Sequence, residues 1–185
     1  MAQVARSLDG QSLLCHAKAG QKLQCPKNQD KWGFIGHQDA RELTIVWGSD
    51  TRYWKWEGMQ IDGHRMEVAE LINVCWLEIN GKYAMKKLTE GLDYQVKFVV
   101  KLLNNFNIDK PVTFSLTTPE GCKQEHTENM MAMPRNEIIS ITAGEFKTPR
   151  NNCGCGEVKF SMMNNDSFWK HGMVVIGAVV VPKFI

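Results

Sequence analysis

From Arg41 onward the chain alternates apolar and polar residues in short segments. Tyr94 to Leu102 places Val96, Phe98, Val100 and Leu102 on one face and Gln95, Lys97 and Lys101 on the other. That is the two-residue period of a half-buried strand. Val112 to Leu116 and Val158 to Met162 repeat it. The segments are punctuated by Asn107-Ile108-Asp109-Lys110-Pro111 and Pro149-Arg150-Asn151-Asn152, and Pro182 closes the last apolar run. Turn chemistry of this kind between alternating segments predicts an antiparallel sandwich, each sheet burying one face and wetting the other. Met66 to Leu71 is the one tempting helix, but the β-rich Val74 to Ile79 follows it, and Asn80-Gly81 signals a hairpin. The body is therefore read as all-β with at most one short helix. Residues 1–40 are polar and without sustained period, which predicts a flexible or loosely packed extension ahead of a single domain over 41–185.

Composition narrows the classes. A chain of 185 residues, 43% hydrophobic and 23% charged, suits one packed domain. A formal charge of +2 gives no strong field, and Lys86-Lys87 is the longest basic run, so binding to nucleic acid through phosphates finds little support. Residues 1–20 lack the continuous apolar core of a secretion signal, and the longest apolar run, Met173 to Val181, is far below the ~20 residues of a membrane span. The expectation is a cytoplasmic protein without membrane contact. Thiols stay reduced there, so the six cysteines are not read as three disulfides, and Cys75 is expected to be a small buried hydrophobe.

The candidate chemistry lies in Trp47-Gly48-Ser49-Asp50-Thr51-Arg52-Tyr53-Trp54-Lys55-Trp56, four aromatics interleaved with polar side chains. A pyranose stacks its C–H face on an indole while its hydroxyls seek polar partners around the rim, and this mixture supplies both. Trp47 also suits the end of a buried strand, because Leu43 to Val46 precedes it. Trp169, in Ser167-Phe168-Trp169-Lys170-His171-Gly172, stands where a loop would reach a binding rim, whereas Trp76 and Phe98 are read as core residues.

Several ordered blocks resemble the phloem protein 2 lectin family, which includes the Nictaba-like lectins. They are Trp47 to Trp56, Glu67 to Leu71, Val74 to Lys82, Tyr94 to Leu102, Gly144-Glu145-Phe146, Gly156-Glu157-Val158, Trp169 to Gly172, and Val181-Pro182-Lys183. The likeness is strongest to the cucurbit phloem lectins. It implies a jelly-roll-like β-sandwich, often dimeric, that binds N-acetylglucosamine oligomers, chito-oligosaccharides and the N-glycan cores of glycoproteins without catalysis. It further implies a role in phloem defence or wound sealing, in companion cells and sieve-element sap. The family's sugar site falls on Trp47, Trp54 and Glu157, and a second acidic position falls on Asn164, which keeps hydrogen-bonding capacity but loses a charge. Residue type adds Tyr53 as a stacking partner and Asp50 and Lys170 as hydrogen-bonding ones.

Other readings are weighed against this one. Carboxylates are numerous, yet no nucleophile motif accompanies them, so the chain is read as no enzyme. Cys153-Gly154-Cys155 with His126 or His171 lacks the paired spacing of a zinc site, and no metal or cofactor is expected. Cys15, Cys25, Cys153 and Cys155 could instead cross-link the chain to a phloem filament protein, as the family resemblance suggests. RNA binding, also attributed to the family, is the remaining alternative.

Overall fold

Alternation along residues 93–107 becomes a fifteen-residue strand whose Tyr94, Val96, Phe98, Val100 and Leu102 are all buried. A computed structural model describes residues 22–25, 28–34, 36–61, 63–150 and 156–183. Thirteen strands are assigned among them: β1 (Lys22–Cys25), β2 (Asn28–Phe34), β3 (Gly36–Asp39), β4 (Thr44–Ile45), β5 (Trp54–Ile61), β6 (His64–Leu71) and β7 (Leu77–Ala84). There follow β8 (Asp93–Asn107), β9 (Val112–Thr117), β10 (Lys123–Glu128), β11 (Ile138–Lys147), β12 (Glu157–Asn164) and β13 (His171–Pro182). The described residues contain three short 3-10 turns and no α-helix, so Met66 to Leu71, the one stretch left open to a short helix, is strand.

One sheet runs β10-β9-β12-β7-β4 and the other β11-β8-β13-β6-β5, with β3 as a sixth strand also paired to β13, every pair antiparallel. The main core lies between them and includes Trp54, Phe98, Phe114, Phe160 and Met162. The six-stranded sheet is also apolar on its other face, where Val68, Val99, Val174, Ile176 and Val179 form a second buried cluster. Burial on both faces explains why β13 reads as an unbroken apolar run instead of alternating. A register shift between Val175 and Gly177 keeps the strand in phase, so that Met173 and Val175 before it and Ala178 and Val180 after it all enter the main core.

One sequence expectation is corrected here. Asn80-Gly81 is no hairpin; both lie inside β7, paired to Ser161 and Phe160 of β12. The glycine serves packing, because a Cβ at Gly81 would stand 2.3 Å from the Phe160 ring. Residues just ahead of Arg41 also take part in the sandwich. β3 pairs Gly36–Asp39 with Val180–Gly177 of β13, and Ala40 is fully buried in the main core.

Candidate functional site

Four connections meet at one end of the sandwich: residues 46–53, 72–76, 108–111 and 165–170. Backbone bonds tie them together. Ile72 N–H donates to the Tyr53 carbonyl at 2.9 Å, while Val74 and Lys170 exchange N–H and C=O bonds at 3.0 and 2.8 Å. Six large hydrophobic residues are exposed among the described residues, and five of them, Trp47, Ile72, Trp76, Phe168 and Trp169, stand on these loops. Apolar area gathered on one rim of a folded body marks a place where something binds.

Trp47 is presented by a tight succession of turns, with Gly48 N–H on the Ile45 carbonyl and Asp50 N–H on the Trp47 carbonyl, both at 2.9 Å. Its φ of 61° is left-handed, a conformation that costs a bulky side chain on the order of 1 kcal/mol or more and persists only where the surroundings impose it. The imposing groups are two indoles beneath the loop: Trp54 Nε1 donates to the Val46 carbonyl at 3.1 Å and Trp56 Nε1 to the Gly48 carbonyl at 2.6 Å. The Tyr53 ring meets that of Trp47 edge-on, centroids 6.0 Å apart. Asp50 closes the turn through Arg52, whose Nη2 lies 2.7 Å from its carboxylate, and this bonding holds the carboxyl below its ordinary value.

Trp76 stands beside this loop, because Val46 N–H donates to the Glu78 carbonyl at 3.0 Å. Its indole N–H donates to Glu78 Oε2 at 2.7 Å, and Asn80 Nδ2 donates to Oε1 at 3.0 Å. The Asn80 bond, and then the Trp76 bond, hold the Glu78 carboxyl below the usual value of 4.5. Trp76 is thus oriented by a charged acceptor with lone pairs left over for a ligand hydroxyl.

The structure redistributes the roles assigned from sequence. Trp47, Tyr53 and Trp169 do meet at this end, Trp47 and Trp169 each 55% exposed. Trp54 does not present a face to solvent: at 1% exposure it is a core residue. Lys170, 2% exposed, spends its ammonium on the carbonyls of Cys75, Asp166 at 2.7 Å and Phe168 at 2.9 Å. Burial pushes its pKa down, a cost that three carbonyl bonds offset. Asn164 is buried too, donating to the Lys110 and Pro111 carbonyls at 3.3 and 2.9 Å and accepting from Asp166 N–H at 3.1 Å. Glu157 sits at the far end of β12, seven residues or about 23 Å from Asn164, paired with Lys82 at 3.3 Å.

Trp76, read as core, is instead 50% exposed. Its parity carried the signal: one residue ahead of β7, it keeps the phase of Glu78, Asn80 and Lys82, whereas Leu77 and Ile79 are buried. Phe168, beside Trp169, is the other aromatic that the sequence reading passed over. The Asn164 geometry yields a prediction. Restoring an acid by Asn164→Asp removes the donor to two loop carbonyls and should cost about 1–3 kcal/mol, read as a lower denaturation midpoint.

Cys15, Cys153 and Cys155 lie outside the described residues, as does the Cys25 side chain. Among the described residues no three His, Cys, Asp or Glu side chains gather in a way that could hold a metal, and no helix is long and apolar enough to cross a membrane.

A family model described as Phloem protein 2 matches residues 37–182. A lectin from Luffa acutangula is 38% identical over 145 residues, 78% of this chain and 68% of that protein. Protein phloem protein 2-like A1 of Arabidopsis thaliana is 34% identical over 149 residues, covering 78% of this chain and 60% of its own. Among solved structures, the xylan-binding domain of a Paenibacillus barcinonensis protein aligns with a TM-score of 0.45 at 12% identity, over 90% of this chain and 97% of the domain.

Proposed function

The chain belongs to the phloem protein 2 family, and from that premise we propose that it is a lectin, not an enzyme, that holds N-acetylglucosamine oligomers on its aromatic loop end. One observation carries the reading: Trp47, Trp76, Phe168 and Trp169 stand exposed on adjoining loops, beside a carboxylate fixed by indole and amide donors. Indole faces take the C–H faces of pyranose rings, and Glu78 accepts from hydroxyls or an acetamido N–H. A neutral sugar offers no Coulombic handle, so one ring binds weakly, on the order of a millimolar Kd. Longer chains gain further aromatic contacts, and a dimer would add avidity on clustered glycans. The biological setting is recognition of chito-oligosaccharides and glycoproteins in phloem sap during defence or wound sealing.

Calorimetric titration with N-acetylglucosamine and its dimer, trimer and tetramer, against cellotriose, tests this. Affinity should rise with length and require the acetamido groups. Trp76→Ala and Trp47→Ala should each lose about tenfold or more in affinity while melting as the wild type does. Equal binding by both variants would move the site elsewhere. Affinity should also be level from about pH 8 to 5. The carboxylate that orients Trp76 is complete above 4.5 and is lost as pH falls below it through the lowered native value. Isotherms stepped downward from pH 6 make that comparison, affinity falling once the Glu78 carboxylate takes up its proton.

A second reading, disulfide cross-linking, gains one observation. Cys122 is an exposed free thiol in the β9–β10 turn. Cys122→Ser should remove a band from non-reducing electrophoresis after mild oxidation if this thiol takes part.

A further inference from the structure

Beyond the aromatic end, on the same outer face of the five-stranded sheet, lies a cleft of about 390 Å³, inside the roughly 300–1,000 Å³ range of small-molecule sites. Its floor is a cross-strand row. Thr44 pairs with Asn80, Asn80 with Ser161, and Ser161 with Ser115, whose hydroxyl lies 2.7 Å from that of Ser161. The next row places Lys159 directly opposite Lys82 on one side and Thr117 on the other.

Two lysines facing each other across neighbouring strands repel, and nothing in the fold requires them there. Lys82 leans on Glu157 at 3.3 Å, an exposed and therefore cheaply broken pair, while Lys159 makes no ion pair among the described residues. Glu42, at the β4 edge of the cleft, has its carboxylate engaged by Asp39 N–H at 2.9 Å. Phe160, the one aromatic of the wall, is buried with its ring over Gly81, so the cleft offers no stacking platform. Ammonium groups beside a floor of hydroxyls and an amide suit a polyhydroxylated anion, not an acetamido sugar that needs an indole.

We propose that this cleft is a second carbohydrate site, taking a short acidic saccharide whose carboxylate lies against Lys159 and Lys82 and whose hydroxyls meet Asn80, Ser115 and Ser161. Its lysines stand apart from the aromatic end, since Lys82 lies six residues, or about 20 Å, beyond Trp76, while Asn80, which also donates to Glu78, is where the cleft floor adjoins that end. The cleft is too large for an inorganic anion alone, and its polar row continues beyond the lysines to Thr44.

The test is calorimetric titration of the full chain with trigalacturonate, with its methyl ester as the neutral control and chitotriose as competitor. Saturable binding is expected, weakened at least tenfold in the ester and in Lys159→Gln. The variant should melt no lower than the wild type, because repulsion has been removed. Saturating chitotriose should leave the trigalacturonate isotherm unchanged. Absence of saturable binding, equal affinity of Lys159→Gln, or displacement by chitotriose would each overturn a separate acidic site. Chitotriose titrated alone on the same sample reads the aromatic end, so the failure of either site is seen apart from the other.

Discussion

Trp54→Ala is expected to lower stability by about 3–5 kcal/mol, the range for deleting a large buried aromatic. For a chain of this size that is a fall in Tm of roughly 6–20 °C. Trp54 heads the fully buried side chains by volume, and its loss opens a cavity among residues of the main core. It also strips the Val46 carbonyl of its indole donor and so loosens the loop that holds Trp47 left-handed. Trp76→Ala, removing a half-exposed ring, should stay within about 0.5–1 kcal/mol of the wild type while losing sugar affinity. Thermal melts and chitotriose titrations on both variants separate the two tryptophans. A wild-type melt for Trp54→Ala would mean that this indole is not packed as described.

Lys170→Met is expected to cost about 2–4 kcal/mol and to weaken sugar binding in the same protein. The substitution keeps length and apolar bulk but leaves the carbonyls of Cys75, Asp166 and Phe168 without the ammonium they share. An acceptor orphaned in this way costs about 1–3 kcal/mol where water cannot replace the donor. Those carbonyls belong to two of the loops that carry the exposed aromatics, so the loss is local as well as global. Amide exchange should quicken first over 72–76 and 165–170, at denaturant concentrations where the sheets remain protected. Lys170→Arg should not rescue it, since a planar guanidinium does not fit a pocket shaped around a single ammonium. Unchanged exchange in those loops would show that Lys170 is not their fastener.

Strand alternation made the fold legible, because a half-buried strand writes its two faces into the chain, as β8 does with Val96, Phe98, Val100 and Leu102. Asn80-Gly81 misled for the complementary reason. Its hairpin signal is local, whereas the glycine answers to Phe160, a residue distant in sequence. The end of the molecule that gathers Trp47, Tyr53 and Trp169 was also legible, from the density of aromatics and turn residues. Individual roles there were not. Lys170 and Cys75 are 95 residues apart, and no local pattern says that a lysine will spend its charge on carbonyls instead of a ligand. Polar residues read as sugar partners, Asn164 and Lys170, became buried fasteners. Trp76, read as core, is half exposed at that end.

The margins of the five-stranded sheet bear on how the protein behaves when concentrated. β10, at one margin, is Lys123-Gln124-Glu125-His126-Thr127-Glu128, without one apolar side chain, and β4, at the other, is two residues long. A charged margin and a stub both make poor templates for the strand of another molecule. This sheet therefore resists edge-to-edge polymerisation at both of its margins.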